Sequence, residues 1–127
     1  MRCFALDIRW KVTDPLGNEV YLTEDSFQTH VINDRQNADA VVRMSLEENV
    51  KYSLQNPRFI VKAEIVEGRR VYLDLADVIR DDMIHVRPLF IVTEADGKVV
   101  TWFAKRTVNV KIPQDGGILY DERTYRL

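Results

Sequence analysis

Residues 59–75, FIVKAEIVEGRRVYLDL, decide the fold, because this stretch contains two runs of alternating residues separated by a polar turn. Alternation with a period of two is typical of a β-strand that buries one face. The turn lies at residues 67–70, so the pattern predicts two antiparallel strands, at residues 59–66 and 71–75. The phases of the two strands direct one apolar set of side chains to the core: Phe59, Val61, Ala63, Ile65, Val71, Leu73 and Leu75.

Two helices are predicted immediately before these strands. Thr23 followed by two acidic residues is typical of a helix start, since its hydroxyl caps free backbone amides and acids suit the positive helix end. This pattern predicts a first helix over residues 24–34. A second, amphipathic helix is predicted over residues 38–55 and ends before Pro57, because apolar residues recur there every four positions, at Val42, Leu46, Val50 and Leu54.

Further strands are predicted on both sides of this central region. A leading hairpin within residues 1–22 turns at residues 14–18, DPLGN. Residues 86–93 are apolar on nearly every position, which is typical of a central strand. Two more strands are predicted at residues 100–105, after a glycine-containing turn, and at residues 108–112.

The order of these elements predicts an α+β fold, with an N-terminal hairpin and two helices packed on one face of a mostly antiparallel four- to five-stranded sheet. A chain of 127 residues with 46% apolar residues is one domain's worth, so we expect a single domain over residues 1–127. Its parts are the leading hairpin (1–22), the helical layer (23–56) and the sheet (58–121). The expected core comprises Val42, Leu46, Val50, Leu54, Val61, Ala63, Leu73, Val100 and Trp102.

The sheet face away from the helices, here called the open face, is the candidate functional surface. Charge favours it, because the helical layer has three cations against six acids, whereas residues 58–112 have ten cations against eight acids. Ordinary solvated side chains of a one-sided sheet are the alternative explanation. The strand phases predict on this face Lys62, Glu64, Tyr72, Asp74, Thr101, Phe103, Lys105, Asn109 and Lys111.

Composition and missing motifs exclude several classes of protein. The 18 basic and 20 acidic residues nearly cancel, so the chain has no uniformly cationic coat. Cys3 is the only cysteine, which rules out an internal disulfide and, with only two histidines, a Cys/His zinc site. No Walker loop or GxGxxG motif occurs, and no apolar run is long enough for a membrane span or export. We therefore expect a cytoplasmic protein with neither cofactor nor metal.

Three short motifs then appear in a recognisable order. They are His30-Val31 in the first helix, residues 56–60 (NPRFI) at the entry to the sheet and residues 100–103 (VTWF) in a later strand. Over residues 20–121 this succession resembles the phage-borne and toxin-like families of the barnase, EndoU, colicin and RelE-like nuclease superfamily. Many members carry a second histidine one turn after the first, in the region where this chain has Arg35.

The resemblance implies a metal-independent endoribonuclease, toxin-like or phage-associated, in which the RNA 2′-hydroxyl attacks the neighbouring phosphate. Such cleavage needs a base, an acid and groups that stabilise the charged phosphorane. With the resemblance, the candidate catalytic residues are His30, Glu64, Thr101 and Lys105. The candidate substrate-binding residues are Arg35, Lys62, Tyr72, Phe103 and Lys111, with Tyr72 or Phe103 stacking a base.

Two alternatives remain open at this stage. His30 is equally consistent with a structural histidine that packs beside Phe27 and Ile32. The whole chain is also consistent with a non-catalytic protein-binding module, a phage accessory or immunity-type protein that uses the open face. The expected partners are therefore RNA and a cognate inhibitor protein, or a basic protein partner for the acidic helices.

Overall fold

A computed structural model describes residues 7–32, 37–63, 67–105 and 117–125. The strands are β1 (Ile8–Thr13), β2 (Glu19–Thr23), β3 (Phe59–Lys62), β4 (Arg70–Arg80), β5 (Met83–Thr93), β6 (Val99–Ala104) and β7 (Ile118–Asp121). The helices are α1 (Glu24–Ser26), a π-helical segment (Phe27–Ile32), α2 (Asn37–Ser45), α3 (Glu47–Gln55) and a 3₁₀ turn (Glu122–Tyr125).

The fold class is α+β, as predicted. Strands β6-β5-β4-β3-β7 form a five-stranded antiparallel sheet in that order, and β1 and β2 form a separate hairpin. Strand β7, which pairs with β3, was not predicted, because its four residues follow a polar, glycine-containing stretch and resemble a tail. The strand predicted at residues 108–112 lies outside the described residues.

The leading hairpin is confirmed, with its turn at Asp14. The Asp14 carboxylate accepts hydrogen bonds from the backbone amides of Leu16 and Asn18, both at 2.9 Å, which holds the turn closed. The hairpin then joins the sheet beside β6, where the Tyr21 amide donates to the Gly97 carbonyl at 2.9 Å. Gly97 has a φ of +97°, and a Cβ there would lie 2.1 Å from the Glu19 carbonyl oxygen, so the close approach of the two turns requires glycine.

The first helix begins as predicted and the second differs from the prediction. The Thr23 hydroxyl accepts from the Ser26 amide at 3.1 Å, and the helix continues as the π-helical segment. The single helix predicted over residues 38–55 is instead two helices that meet at Leu46. The Arg43 carbonyl accepts from the Leu46 amide at 3.2 Å and from the Trp102 indole at 2.8 Å, so it does not continue the regular helical ladder.

The main core lies between these helices and one sheet face, as expected. Trp102 is completely buried at its centre and stacks on Trp10 at a ring separation of 6.5 Å. Among the predicted core residues, Val42 packs against this core, and Leu46, Val50, Leu54 and Trp102 are part of it. The full cluster is Val20, Leu22, Phe27, Leu46, Val50, Leu54, Ile60, Tyr72, Ala76, Val78, Leu89, Ile91, Val99 and Trp102.

The predicted phases of β3 and β4 are wrong. Ile60 and Tyr72 face the helices, whereas Val61 and Leu73 are buried on the opposite face and Leu75 is exposed there. Polar partners from the rest of the fold explain the inversion. The Tyr72 hydroxyl donates to the Asp14 carboxylate of the hairpin turn, so an apparently solvent-seeking residue is satisfied inside the protein.

Two smaller core predictions also differ. Ala63 and Val100 are only half-buried, and Val99 takes the core position that Val100 was expected to occupy. The cause at Val99 is an irregularity in the pairing of β5 with β6, where the register shifts between Val92 and Thr93. A one-residue shift exchanges the two faces of a strand, and alternation in the sequence does not reveal it.

Strands β4 and β5 extend well beyond their neighbours. In the described chain, β3 pairs with β4 only as far as Leu73 and β6 pairs with β5 only from Leu89 onward. Residues 75–88 therefore form a two-stranded extension, here called the arm. Its turn consists of Asp81 and Asp82, whose φ angles of +51° and +61° suit a type I′ hairpin turn.

Candidate functional site

Two of the candidate residues do not lie on the open face. Tyr72 is 1% exposed in the helix-facing core, so it has no free ring surface for a nucleobase, and its placement on the open face is wrong. Burial and the neighbouring Asp14 raise the pKa of its hydroxyl far above the ordinary value. Lys62 is exposed, but it pairs with Arg70 two positions from the Ile60–Tyr72 pair, which puts it on the helix-facing side as well.

Three candidate residues do share the open face. Thr101, Phe103 and Lys105 alternate along the end of β6, opposite in phase to the buried Trp102. Phe103 is half-buried and stacks on Phe90 of β5, with ring centroids 5.4 Å apart and planes 7° from parallel. The Lys105 ammonium lies 4.6 Å from the centre of the Phe90 ring. Phe90, Phe103 and Lys105 are here called the aromatic patch.

A second pairing of a cation with an aromatic ring lies across the sheet from this patch. Strand register aligns Phe59, Leu73, Phe90 and Phe103 in one row from β3 to β6. The Arg123 guanidinium lies 5.3 Å from the Phe59 ring centre. The row therefore has an aromatic ring beside a cation at each end, with a buried leucine between them. The Arg123 cation is paired with the Asp121 carboxylate at 2.8 Å, and Asp121 lies opposite Phe59 in the strand register.

The open face is much more apolar than the sequence indicated. Acid and lysine side chains were expected to dominate it, yet the correct phase of β4 turns Asp74 toward the helices, where burial raises the pKa of its carboxyl group. The arm adds exposed apolar residues to the same face, with Ile79, Ile84 and Val86 exposed at 75%, 67% and 60%. The open face is thus largely apolar and aromatic, with Lys105 and Arg123 at its margins and the acids Asp77 and Asp121 on the same face.

The remaining candidates cannot be placed in this geometry. The backbone of His30 lies in the π-helical segment, and its side chain is outside the described part of the structure. Arg35, Glu64 and Lys111 lie outside the described residues. Their assignment to catalysis and substrate binding therefore stays a prediction.

Sequence reasoning also missed residues on both faces. On the open face these are Phe59, Phe90 and Arg123. On the helix-facing side, Arg43, Arg80 and Arg87 line one cavity between α2 and the arm. A two-residue turn at Asp81–Asp82 was the missing signal, because it places Arg80 and Arg87 on the same face of a hairpin.

The described ranges contain neither a cluster of metal-ligating side chains nor a membrane-spanning helix. No group of three or more His, Cys, Asp or Glu side chains in these ranges is arranged to hold a metal ion. No helix among them is long and apolar enough to cross a membrane.

Comparison of the chain with family models, with curated proteins and with solved structures finds no match. The resemblance to the toxin-like nucleases therefore rests on the three motifs, and the site must be judged by its own chemistry.

Proposed function

We propose that the protein binds single-stranded RNA on the open face and cleaves it without a metal. The observation that carries this proposal is the aromatic patch. Half-buried Phe90 and Phe103 offer ring surface to nucleobases, and Lys105 supplies a positive charge beside them for a backbone phosphate. Stacking on aromatic side chains next to cations is a general way in which sheets bind single strands.

The two ends of the aromatic row support the same proposal. Phe59 offers a further aromatic ring on the far side of the sheet, beside Arg123, whose charge is paired with Asp121. A flexible single strand laid across the strands meets the rings at both ends of the row, whereas duplex RNA presents no unstacked bases to either of them. We therefore expect a preference for single-stranded over double-stranded RNA.

Removal of one ring tests the binding. Phe103→Leu keeps an apolar side chain but removes the stacking surface, and stacking contributes about 1–3 kcal/mol per base. We expect roughly a 5- to 150-fold weaker affinity for a short single-stranded RNA, measured by fluorescence anisotropy. Val92→Ala, on the same face but outside the aromatic patch, is the control and should leave affinity within about twofold. Equal affinities of wild type and Phe103→Leu would refute stacking at this site.

A pair of lysines tests which face binds RNA. Lys105 lies on the open face and Lys62 on the helix-facing side, and both are exposed. Lys105→Glu should weaken RNA binding and reduce the slope of log affinity against log salt by about 0.7, the value for one phosphate contact on a single strand. Lys62→Glu changes net charge equally and should have the smaller effect. Equal losses in both variants would indicate attraction by net charge alone.

Catalysis is tested at His30. Purified protein should degrade RNA in excess EDTA, and His30→Ala should lower the rate about 10²- to 10⁴-fold, as is typical for loss of a general acid or base. Thermal stability, measured on the same preparation, should stay within about 0.5 kcal/mol of wild type. A stable variant with full activity would exclude His30 from catalysis, and an unstable variant would favour a structural role.

A protein-binding module is the second candidate function, and the arm favours it. Ile79, Ile84 and Val86 of the arm are each at least 60% exposed, and clustered exposed apolar residues mark protein contacts in many proteins. A pure binding module should neither degrade RNA in EDTA nor be toxic on expression, and its affinity for RNA should be unaffected by Phe103→Leu.

A further inference from the structure

The helix-facing side of the arm contains a cationic cavity that adjoins the aromatic patch at Phe103. It has a volume of about 110 Å³ and lies between α2 and the β4–β5 arm, beside the end of β6. Its walls combine three arginines with apolar residues: Arg43, Arg80 and Arg87, with Val42, Val78, Phe103 and Ala104. Arg43 comes from α2, Arg80 from β4 and Arg87 from β5, so three separate elements direct arginines at one space.

The lining of this cavity is cationic. No residue described as lining it has a carboxylate, and the turn acids Asp81 and Asp82 do not contribute to its walls. Guanidinium groups are protonated at all physiological pH values, so a cavity lined by three of them favours an anion.

The three arginines do not have equal access to further partners. Arg43 and Arg87 each take part in other interactions, which helps to hold their side chains in position. Arg80 is half-buried, and in the described chain its side chain makes no hydrogen bond or ion pair. A guanidinium has five N–H donors in a planar fork, so Arg80 brings unused donors to the cavity.

We propose that this cavity binds a phosphate group. Arginine forks match the oxygens of phosphate in bidentate geometry, and a phosphate has enough acceptor oxygens to bond with three guanidinium groups at once. Its double negative charge is also attracted to a cationic lining more strongly than the single charge of a carboxylate. The phosphate group belongs either to a small phosphorylated molecule or to the terminus of an RNA strand.

Inorganic phosphate is the first probe. The Nε–H signals of Arg43, Arg80 and Arg87 in NMR spectra of the folded protein should shift and saturate with phosphate, while that of Arg58, which does not line the cavity, should stay unchanged. Arg80→Gln should weaken phosphate binding roughly 10- to 100-fold, because it removes charge-assisted hydrogen bonds. Arg58→Gln is the charge-matched control and should bind as wild type. Arg80→Lys should restore part of the affinity, since it returns the charge without the fork.

Two results would overturn the proposal. One is the absence of saturable shifts in the three cavity arginines. The other is an equal loss of phosphate affinity in Arg80→Gln and Arg58→Gln, because that pattern indicates general charge attraction. Thermal unfolding of each variant shows that the comparison is made between folded proteins.

A second pair of probes distinguishes the source of the phosphate. The same short RNA is compared with and without a 5′-phosphate. Tighter binding of the phosphorylated strand, lost in Arg80→Gln, assigns the cavity to an RNA terminus. Inorganic phosphate binding with no preference between the two strands assigns it to a small phosphorylated molecule. Phosphate binding that survives Phe90→Leu, which alters the aromatic patch but no residue lining the cavity, shows that the cavity functions independently, so failure of the RNA proposal and failure of this one are distinguishable.

Discussion

The buried hydrogen bond between Tyr72 and Asp14 is expected to be a main link between the hairpin and the sheet. The Tyr72 hydroxyl lies 2.5 Å from the Asp14 carboxylate, and both residues are almost inaccessible, at 1% and 4% exposure. Tyr72→Phe keeps the ring in the core and removes only the donor. Since a hydrogen bond to a charged group contributes about 1.5–3 kcal/mol, we expect that loss in the free energy of unfolding. The melting temperature should fall by about 6–12 °C.

Tyr21 is a matched control for this measurement. Its hydroxyl donates to Asp96 at 2.9 Å in an exposed position, so Tyr21→Phe deletes the same group from a site that water can reach. We expect a loss below about 1 kcal/mol there, because water replaces the lost partner. Urea unfolding of both variants under identical conditions gives the comparison. A Tyr72→Phe loss no larger than that of Tyr21→Phe would refute the assignment of Tyr72 to a buried, energetically important contact.

Three further perturbations have expected outcomes. Leu46→Ala should cost about 2–5 kcal/mol in a urea unfolding titration, because it opens a cavity where the two helices meet, and a loss near zero would contradict its position in the core. Gly97→Ala should cost at least about 2 kcal/mol through strain and its clash with Glu19, whereas Gly17→Ala, with a similar φ and open space, should cost only about 1 kcal/mol. Hydrogen bonds, first from Arg9 and then from Trp10, lower the pKa of the Glu47 carboxyl group. Glu47 therefore stabilises the folded protein fully above its unfolded-state pKa near 4.5, and this stabilisation is lost on acidification. The melting temperature of Glu47→Gln should consequently fall less between pH 7 and pH 3 than that of the wild type.

Local patterns predicted the elements of this fold better than their orientation. The turn at Asp14, the cap at Thr23 and the glycine turn near Gly97 use short-range chemistry that is visible in the sequence, and all three occur where they were expected. The apolar repeat of the second helix also identified its buried side. The break at Leu46 was not visible, because it depends on the Trp102 indole, which reaches the helix from a distant strand.

At the candidate site, too, the sequence predicted the strands better than the face on which each side chain lies. Alternation put Tyr72 on the wrong face, because its partner Asp14 lies far away in sequence and no local pattern reveals that partnership. Where both strand faces are apolar, a period of two does not identify which one the helices cover. Phe103 and Lys105 were assigned correctly to the open face, since the large buried side chain of Trp102, next to Phe103, decided the phase of β6.

The two-residue turn at Asp81 and Asp82 has a consequence for the order of folding. Strands β4 and β5 are joined by the shortest connection in the sheet, so their pairing has the smallest loop-closure cost and isolated hairpins of this kind form within about 1–10 μs. Pairing of β3 with β7 joins segments that are distant in sequence, so its loop-closure entropy cost is much larger. The arm is therefore the expected template of the sheet, on which the shorter strands assemble outward, and β7 closes the edge last.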